Sequence, residues 1–337
     1  MEKLFETYNE HHKTVDDSLY YYIAEKNTGA EAYVFSEYNS FFANEQSLVV
    51  GKCFYLHSHM LNEKQIGHFK TKIILNKKFL NLGYKKINNY FEINSDMNIK
   101  KFVSDNQLFS EKNSNNIFCD NYSAFDENCV VAVSEPRAAM QKLYEKNADL
   151  KKVVDKIVKD FSMNIEDLGL TGSLALGCNS SFDYDIIFYG SIEKLNQIKR
   201  KIDYYQLKNG KVKEYGLNWP CRYYDDNSNL ICCFFNCIDY SYQPLRCAEI
   251  MDNKYQFSTT VKEDVFSILK APVLEIDGNI GSLVIFNSAF KGVLKKGDKI
   301  NGVGKIIKYN IYGKEKYSIL CLNPYDEIYD YGVFFNR

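Results

Sequence analysis

The chain has 337 residues, and at roughly 100–200 residues per domain this length predicts two or three domains. Apolar residues make up 45% and charged residues 25%, which excludes a disordered or collagen-like chain and indicates a globular one. Lys and Arg total 42 against 43 Asp and Glu, so the chain as a whole lacks the net positive charge that is typical of a nucleic-acid-binding protein.

Three features of the sequence predict a cytoplasmic location. The first six residues contain no apolar core of a signal peptide. The longest apolar run of the second half, Leu230 to Phe235, is far shorter than the roughly 20 residues of a membrane helix. The ten cysteines include no CxxC pair, so buried reduced thiols are expected rather than zinc sites or disulfides.

The N-terminal region, residues 1–130, is predicted to be an α/β region without an assigned activity. Residues 1–50 show no clear period. Residues 104–128 are rich in Ser, Asn and Asp, which predicts a loop or weakly ordered stretch with a domain boundary near its end. The predicted elements are a buried strand over Ser47–Leu56 and strands or short helices over Tyr90–Ile93 and Ile99–Val103.

The central region, residues 131–255, has the pattern of a mixed α/β domain. Pro136 suits the first turn of a helix, because a proline lacks the N–H that would be unpaired there. A second helix is predicted over Asp149–Phe161 from an apolar stripe at helical spacing. The remaining predicted elements are strands over Leu168–Thr171, Tyr184–Tyr189 and Leu230–Ile238 and a helix capped by Ser191.

The C-terminal region, residues 256–337, is predicted to form a small β-barrel, because short strands alternate with closely spaced turns. Its predicted strands are Val273–Ile276, Ser282–Asn287, Lys299–Val303, Lys305–Tyr309 and Tyr317–Leu322. The expected fold class is therefore α+β, with a central mixed sheet and helices between an α/β N-terminal region and a C-terminal barrel.

The residues most informative about function lie between Leu168 and Gly190. A predicted strand ends at Gly172 and Ser173, and the next strand opens with Asp183 and Asp185. Side chains alternate along a strand, so the two carboxylates share a face and repel each other unless a cation lies between them. Oxygen ligands in this arrangement suit Mg²⁺, with Mn²⁺ as the alternative, together with the phosphates of a substrate. A glycine lets backbone approach those phosphates, and Ser173 offers a hydroxyl.

This Gly-Ser element, followed by a carboxylate-x-carboxylate strand, resembles the polymerase-β-like nucleotidyltransferases. More narrowly, the chain is similar to a largely archaeal group of predicted nucleotidyltransferases with a Thr-Gly-Ser start, a Tyr-x-His element and a β-rich tail. Tyr55-Leu56-His57 and the segment Ser288–Lys308 are the counterparts here. The resemblance implies Mg²⁺-dependent transfer of a nucleoside monophosphate from an NTP, with ATP as the expected donor, to an RNA end, a protein side chain or a small molecule.

Members of the superfamily usually add a third carboxylate from a later strand, which acts as a base. The strand Leu230–Ile238 carries no acid in its middle. Asp239, which ends this strand, is the first candidate, and Asp226, which precedes it, is the second; a turn acid without a role explains either equally well. Without such a base, the chain could use its substrate to remove the proton, or bind nucleotide or RNA as a catalytically degenerate module.

Other polar residues have weaker claims to a function. His57 and His59 share a strand face and could be a polar strand end, contact substrate or, with further ligands, bind a metal. Arg222 and Arg246 flank the predicted strand Leu230–Ile238 and could bind a triphosphate or form surface salt bridges. Six lysines of the tail could form a basic face for RNA or simply protect sheet edges: Lys291, Lys295, Lys296, Lys299, Lys305 and Lys308.

Overall fold

A computed structural model describes residues 6–7, 19–36, 48–110, 117, 121–178, 183–215, 217–240, 245, 248–322 and 328–330 of the chain. It divides into two compact units. The N-terminal unit comprises residues 1–187 and 213–217, and the C-terminal unit comprises 188–212 and 218–337. Arg246 lies outside the described residues.

The N-terminal unit holds most of the strands in one large sheet. The strands of this unit are β1 Glu6–Thr7, β2 Leu19–Ala24, β3 Glu31–Ser36, β4 Leu48–His57, β5 Phe69–Ile74, β6 Lys77–Ile87, β7 Tyr90–Ile93, β8 Ser123–Asp126, β9 Val130–Ser134 and β10 Leu168–Leu170. The first nine form the large sheet. β11 Asp183–Gly190 begins in this unit and ends in the other, and β12 Lys213–Glu214 and β13 Leu217–Asn218 form a short two-stranded sheet. The helices are α1 Glu63–Ile66, α2 Asp96–Asp105, α3 Pro136–Tyr144, α4 Ala148–Phe161 and α5 Gly172–Ala175.

The large sheet has the strand order β1-β9-β2-β3-β4-β6-β5, with β7 paired to β6 and β8 paired to β4. Both faces of its central strands, β2, β3 and β4, are covered. One face packs against α2 through Ile99 and Val103. The other face is aromatic, with Tyr20, Tyr33 and Tyr55 packed against the segment that follows α5. A sheet buried on both faces does not need an alternating pattern, which is why β2 and β3 escape detection in the sequence.

The two helices α3 and α4 form where the sequence predicts them. Pro136 occupies the first turn of α3, and the Glu135 carboxylate accepts hydrogen bonds from the N–H groups of Arg137 (2.9 Å) and Ala138 (2.6 Å). The apolar stripe of α4 is buried, and burial stabilises each such side chain by about 1.5–3 kcal/mol. These buried residues are Leu150, Val153, Val154, Ile157 and Phe161.

The C-terminal unit begins with the end of β11, beside which β15 lies. Its elements are α6 Ile192–Asn209, β14 Arg222–Tyr224, β15 Leu230–Cys237, β16 Glu249–Glu263, β17 Val273–Ile276, β18 Ser282–Ile285, β19 Lys299–Ile311, β20 Lys314–Cys321 and β21 Ile328–Asp330. Ser191 caps α6, as the sequence predicts, by accepting a hydrogen bond from the Lys194 N–H (3.3 Å). β14 pairs antiparallel with β15.

The C-terminal strands close into the predicted small β-barrel. Five strands follow one another in the order β16-β17-β18-β20-β19, and β19 returns to pair with β16. β21 adds to β19 outside this ring. The α+β class and the barrel are therefore confirmed.

Two details of the predicted elements are wrong. The loop predicted over 104–128 contains strand β8, which pairs with β4; residues 111–116 and 118–120 of this range lie outside the described residues. The two strands expected on either side of Gly304 are the single strand β19. A Cβ at Gly304 would lie 2.7 Å from Cγ2 of Ile319, so the glycine permits close approach of β20 and does not mark a turn.

Both predicted domain boundaries fall inside strands: the first, between residues 130 and 131, in β9, and the second, between 255 and 256, in β16. Among the residues that the structure describes, no helix is long and apolar enough to cross a membrane.

Candidate active site

The candidate site is built on the turn that leads from β10 into α5. The N–H of Thr171, the residue between these elements, donates a hydrogen bond to the backbone oxygen of Asp185 (2.9 Å). This bond fixes the turn against the first half of β11. The predicted Gly-Ser element and the predicted carboxylate strand therefore lie side by side within the N-terminal unit.

Gly172 is required here for two reasons. Its φ of +70° lies in the left-handed region, which residues with a Cβ rarely adopt. A Cβ added at Gly172 would also lie 1.9 Å from Oδ2 and 2.7 Å from Cγ of Asp185. The glycine thus makes room for the Asp185 carboxylate. This direct contact differs from the sequence argument, which reserved that space for a phosphate chain.

Asp183 and Asp185 are half-buried at the start of β11. A carboxylate oxygen of one lies within 4.8 Å of a carboxylate oxygen of the other. Two carboxylates this close repel in the absence of a cation, and the repulsion is a source of affinity for a divalent ion.

Ser173 follows directly and is only 2% exposed. Its hydroxyl lies 2.8 Å from Nζ of Lys72, which donates a hydrogen bond to it from strand β5. Lys72 is not among the site residues predicted from the sequence. Nothing in the local pattern of β5 distinguishes this lysine from its neighbours, because the contact joins residues 101 positions apart.

The tyrosine of the Tyr-x-His element, Tyr55, lies near the segment that carries the site. Tyr55 lies on the aromatic face of the large sheet and is buried. Burial first, and then the charges of nearby groups that include Asp185 and Asp183, raise the pKa of Tyr55 well above its ordinary value. The tyrosine therefore stays protonated beside the carboxylate pair.

His57 and His59 contact each other through their Nδ1 atoms, and Nε2 of His59 lies 3.2 Å from the backbone oxygen of Gly29. Burial and the neighbouring His59 and Lys77 lower the pKa of His57, while Glu31 opposes them. Neither histidine belongs to a group of three metal-ligand side chains among the described residues.

The acids proposed as a third carboxylate are occupied in the C-terminal unit. Oδ2 of Asp239 accepts a hydrogen bond from the N–H of Ile192 (2.7 Å), the first residue of α6. Asp226 forms an ion pair with Lys208 (2.7 Å). Asp239 therefore caps a helix, and a negative charge is favourable at that end of a helix.

Several cations of the C-terminal unit that the sequence singles out also have partners. The Arg222 guanidinium stacks over Trp219 at 4.0 Å from the ring centre. Among the tail lysines, Nζ of Lys291 donates to the Cys233 carbonyl, and Lys295, Lys296 and Lys308 pair with Asp264, Glu263 and Glu315.

No protein-family model, curated protein or solved structure matches the chain.

Proposed function

We propose that this chain is a Mg²⁺-dependent nucleotidyltransferase of the polymerase-β-like superfamily. It would transfer a nucleoside monophosphate from an NTP to a hydroxyl acceptor and release pyrophosphate. The observation that supports this proposal is the position of Asp185, whose carboxylate lies directly over Gly172 and within 4.8 Å of the Asp183 carboxylate. An RNA end, a protein side chain and a small molecule are the acceptor classes to be tested.

The side chains present fit a hard divalent cation. Asp183 and Asp185 offer oxygen ligands from one strand face, and both are partly open to solvent. Mg²⁺ is commonly held by one or two carboxylates together with substrate phosphates and water. When bound, such a cation neutralises the carboxylates and draws negative charge from the phosphates.

The remaining residues of the site would bind and orient the phosphate chain. Ser173 offers a hydroxyl, and Lys72 offers a positive charge 2.8 Å from it. Gly172 carries no Cβ that would displace the Asp185 carboxylate. Because Asp239 already caps α6, we assign no protein residue as the base for the acceptor hydroxyl. A phosphate oxygen of the substrate would accept the proton of that hydroxyl.

A catalytically degenerate module that binds nucleotide or RNA is the second candidate. One observation favours it: within the described part of the chain, no third Asp or Glu carboxylate joins the pair within 4.8 Å. Such a module would bind nucleotide through the same residues without turning it over.

Transfer from ATP labelled at the α-phosphate separates these two functions. The full chain would be incubated with Mg²⁺ and, in turn, with RNA, with a protein mixture, with small hydroxyl compounds and without acceptor. We expect label to appear in one acceptor class. The transfer should be lost in Asp185→Asn and retained in Glu166→Gln, the control variant, which removes one exposed carboxylate. Nucleotide binding without any transfer would favour the binding module.

A further inference from the structure

Strand β5 brings a cationic face of the large sheet to the candidate site. Lys70, Lys72 and Ile74 alternate along β5 and so lie on one face of the sheet. Ile74 is fully buried in the cluster that also contains Leu176 and Cys178, which follow α5. The end of β5 is therefore anchored to the same segment of chain that carries Ser173.

Within the described part of the chain, one hydrogen bond holds Lys72 at the site. Its Nζ donates to the Ser173 hydroxyl at 2.8 Å, and its side chain is half-buried. An ammonium group has three N–H donors and no acceptor. Among the carboxylates that the structure describes, none lies within ion-pair distance of Lys72. The ammonium thus keeps donors available to an anion beside Ser173.

Lys70, two residues earlier on the same face, already has several contacts for its ammonium group. Its Nζ donates to the hydroxyl of Tyr215 (2.6 Å). It also lies 4.6–5.3 Å from the ring centres of Tyr84, Phe91 and Tyr215. Three aromatic rings therefore surround this cation. Of the two lysines, Lys72 is the one that contacts the Gly-Ser turn, and no described residue other than Ser173 competes for its ammonium group.

We propose that Lys72 is the cation that binds the phosphate chain of the substrate, contacting nonbridging oxygens of the triphosphate and of the pyrophosphate product. The inference rests on the proposed function. A lysine ammonium is a compact point charge on a flexible stem, which suits phosphate groups. The Asp pair repels a polyphosphate, and a positive charge next to Ser173 offsets part of that repulsion. The N-terminal sheet, for which the sequence suggests no activity, would thereby complete the nucleotide site.

Binding of tripolyphosphate to the full-length protein tests this proposal without any transfer reaction. Titration calorimetry with and without Mg²⁺ would compare the wild type with Lys72→Met, Lys72→Arg and Lys78→Met. Lys78 is an exposed lysine of the neighbouring strand β6 and provides the matched loss of charge. We expect Lys72→Met to weaken binding at least tenfold, Lys72→Arg to retain most of it and Lys78→Met to leave it unchanged. Thermal unfolding of each variant checks its fold, and Lys72→Arg keeps the comparison informative if Lys72→Met unfolds.

The two possible failures are distinguishable. If the wild type binds tripolyphosphate and Lys72→Met binds it equally well, the role of Lys72 is refuted and the proposed function stands. If the wild type binds neither tripolyphosphate nor a Mg²⁺-nucleotide, both the role of Lys72 and the proposed function are refuted.

Discussion

Replacing Gly172 with alanine tests the contact on which the site depends. A left-handed φ of +70° costs an L-residue about 1–2 kcal/mol. The new Cβ would lie 1.9 Å from Oδ2 of Asp185, so the carboxylate must rotate away. An off-rotamer side chain costs about 0.5–1.5 kcal/mol more. We therefore expect Gly172→Ala to lower the free energy of unfolding by about 1.5–3.5 kcal/mol and to abolish Mg²⁺-nucleotide binding.

Urea denaturation and nucleotide titration would measure the two effects. Gly29→Ala is the control, because Gly29 has nearly the same φ of +72° and nothing within 4 Å of its added Cβ. It should lose only the backbone contribution and bind nucleotide normally. In an Asp185→Ala background, Gly172→Ala should likewise cost little more than the backbone contribution, because the clashing carboxylate is gone.

A Gly172→Ala variant no more destabilised than Gly29→Ala would refute the clash with Asp185. So would a Gly172→Ala variant that bound Mg²⁺-nucleotide as tightly as the wild type. Either result would mean that the Asp185 carboxylate does not lie over Gly172.

Three further predictions follow from the same contacts. Ser173→Ala should raise the nucleotide dissociation constant about tenfold, or about 1.4 kcal/mol, because one hydrogen bond to a charged group is lost. An unchanged dissociation constant would show that Ser173 does not bind the nucleotide. Asp239→Ala should lower the free energy of unfolding by about 1 kcal/mol, because a helix cap is lost, whereas Asp239→Asn keeps an oxygen acceptor. Both variants should retain transfer. An Asp239→Asn variant that is folded but inactive would instead identify Asp239 as a base. Because burial and His59 lower the folded-state pKa of His57 from 6.5, the unfolded chain binds more protons, so stability should fall as the pH drops below that value. Urea denaturation of His57→Gln should show a shallower fall, and an identical pH dependence would contradict this assignment.

The sequence predicts those parts of the fold that rest on local patterns. α4 and α6 are set by apolar stripes and caps, and β11 by its apolar run, so their positions agree closely with the structure. β2 and β3 are not predicted, because both faces of their sheet are buried and no alternation survives.

The residues of the candidate site also fall into two groups, those that a local sequence motif reveals and those that only the fold brings together. Gly172, Ser173, Asp183 and Asp185 lie within a short stretch and can be found by motif. Lys72 cannot, because only the pairing of β5 in the large sheet and the packing of Ile74 bring it to Ser173. The capping role of Asp239 is equally hidden, since its partner Ile192 lies 47 residues earlier.

Titration of the full chain with Mg²⁺ and a non-hydrolysable ATP analogue, added separately and together, tests the central claim most directly. We predict that the wild type binds the analogue much more tightly with Mg²⁺ than without it, and that Asp185→Asn loses this dependence while keeping its fold. Binding of the analogue that is equally tight without Mg²⁺, or that keeps its Mg²⁺ dependence in Asp185→Asn, would contradict the account.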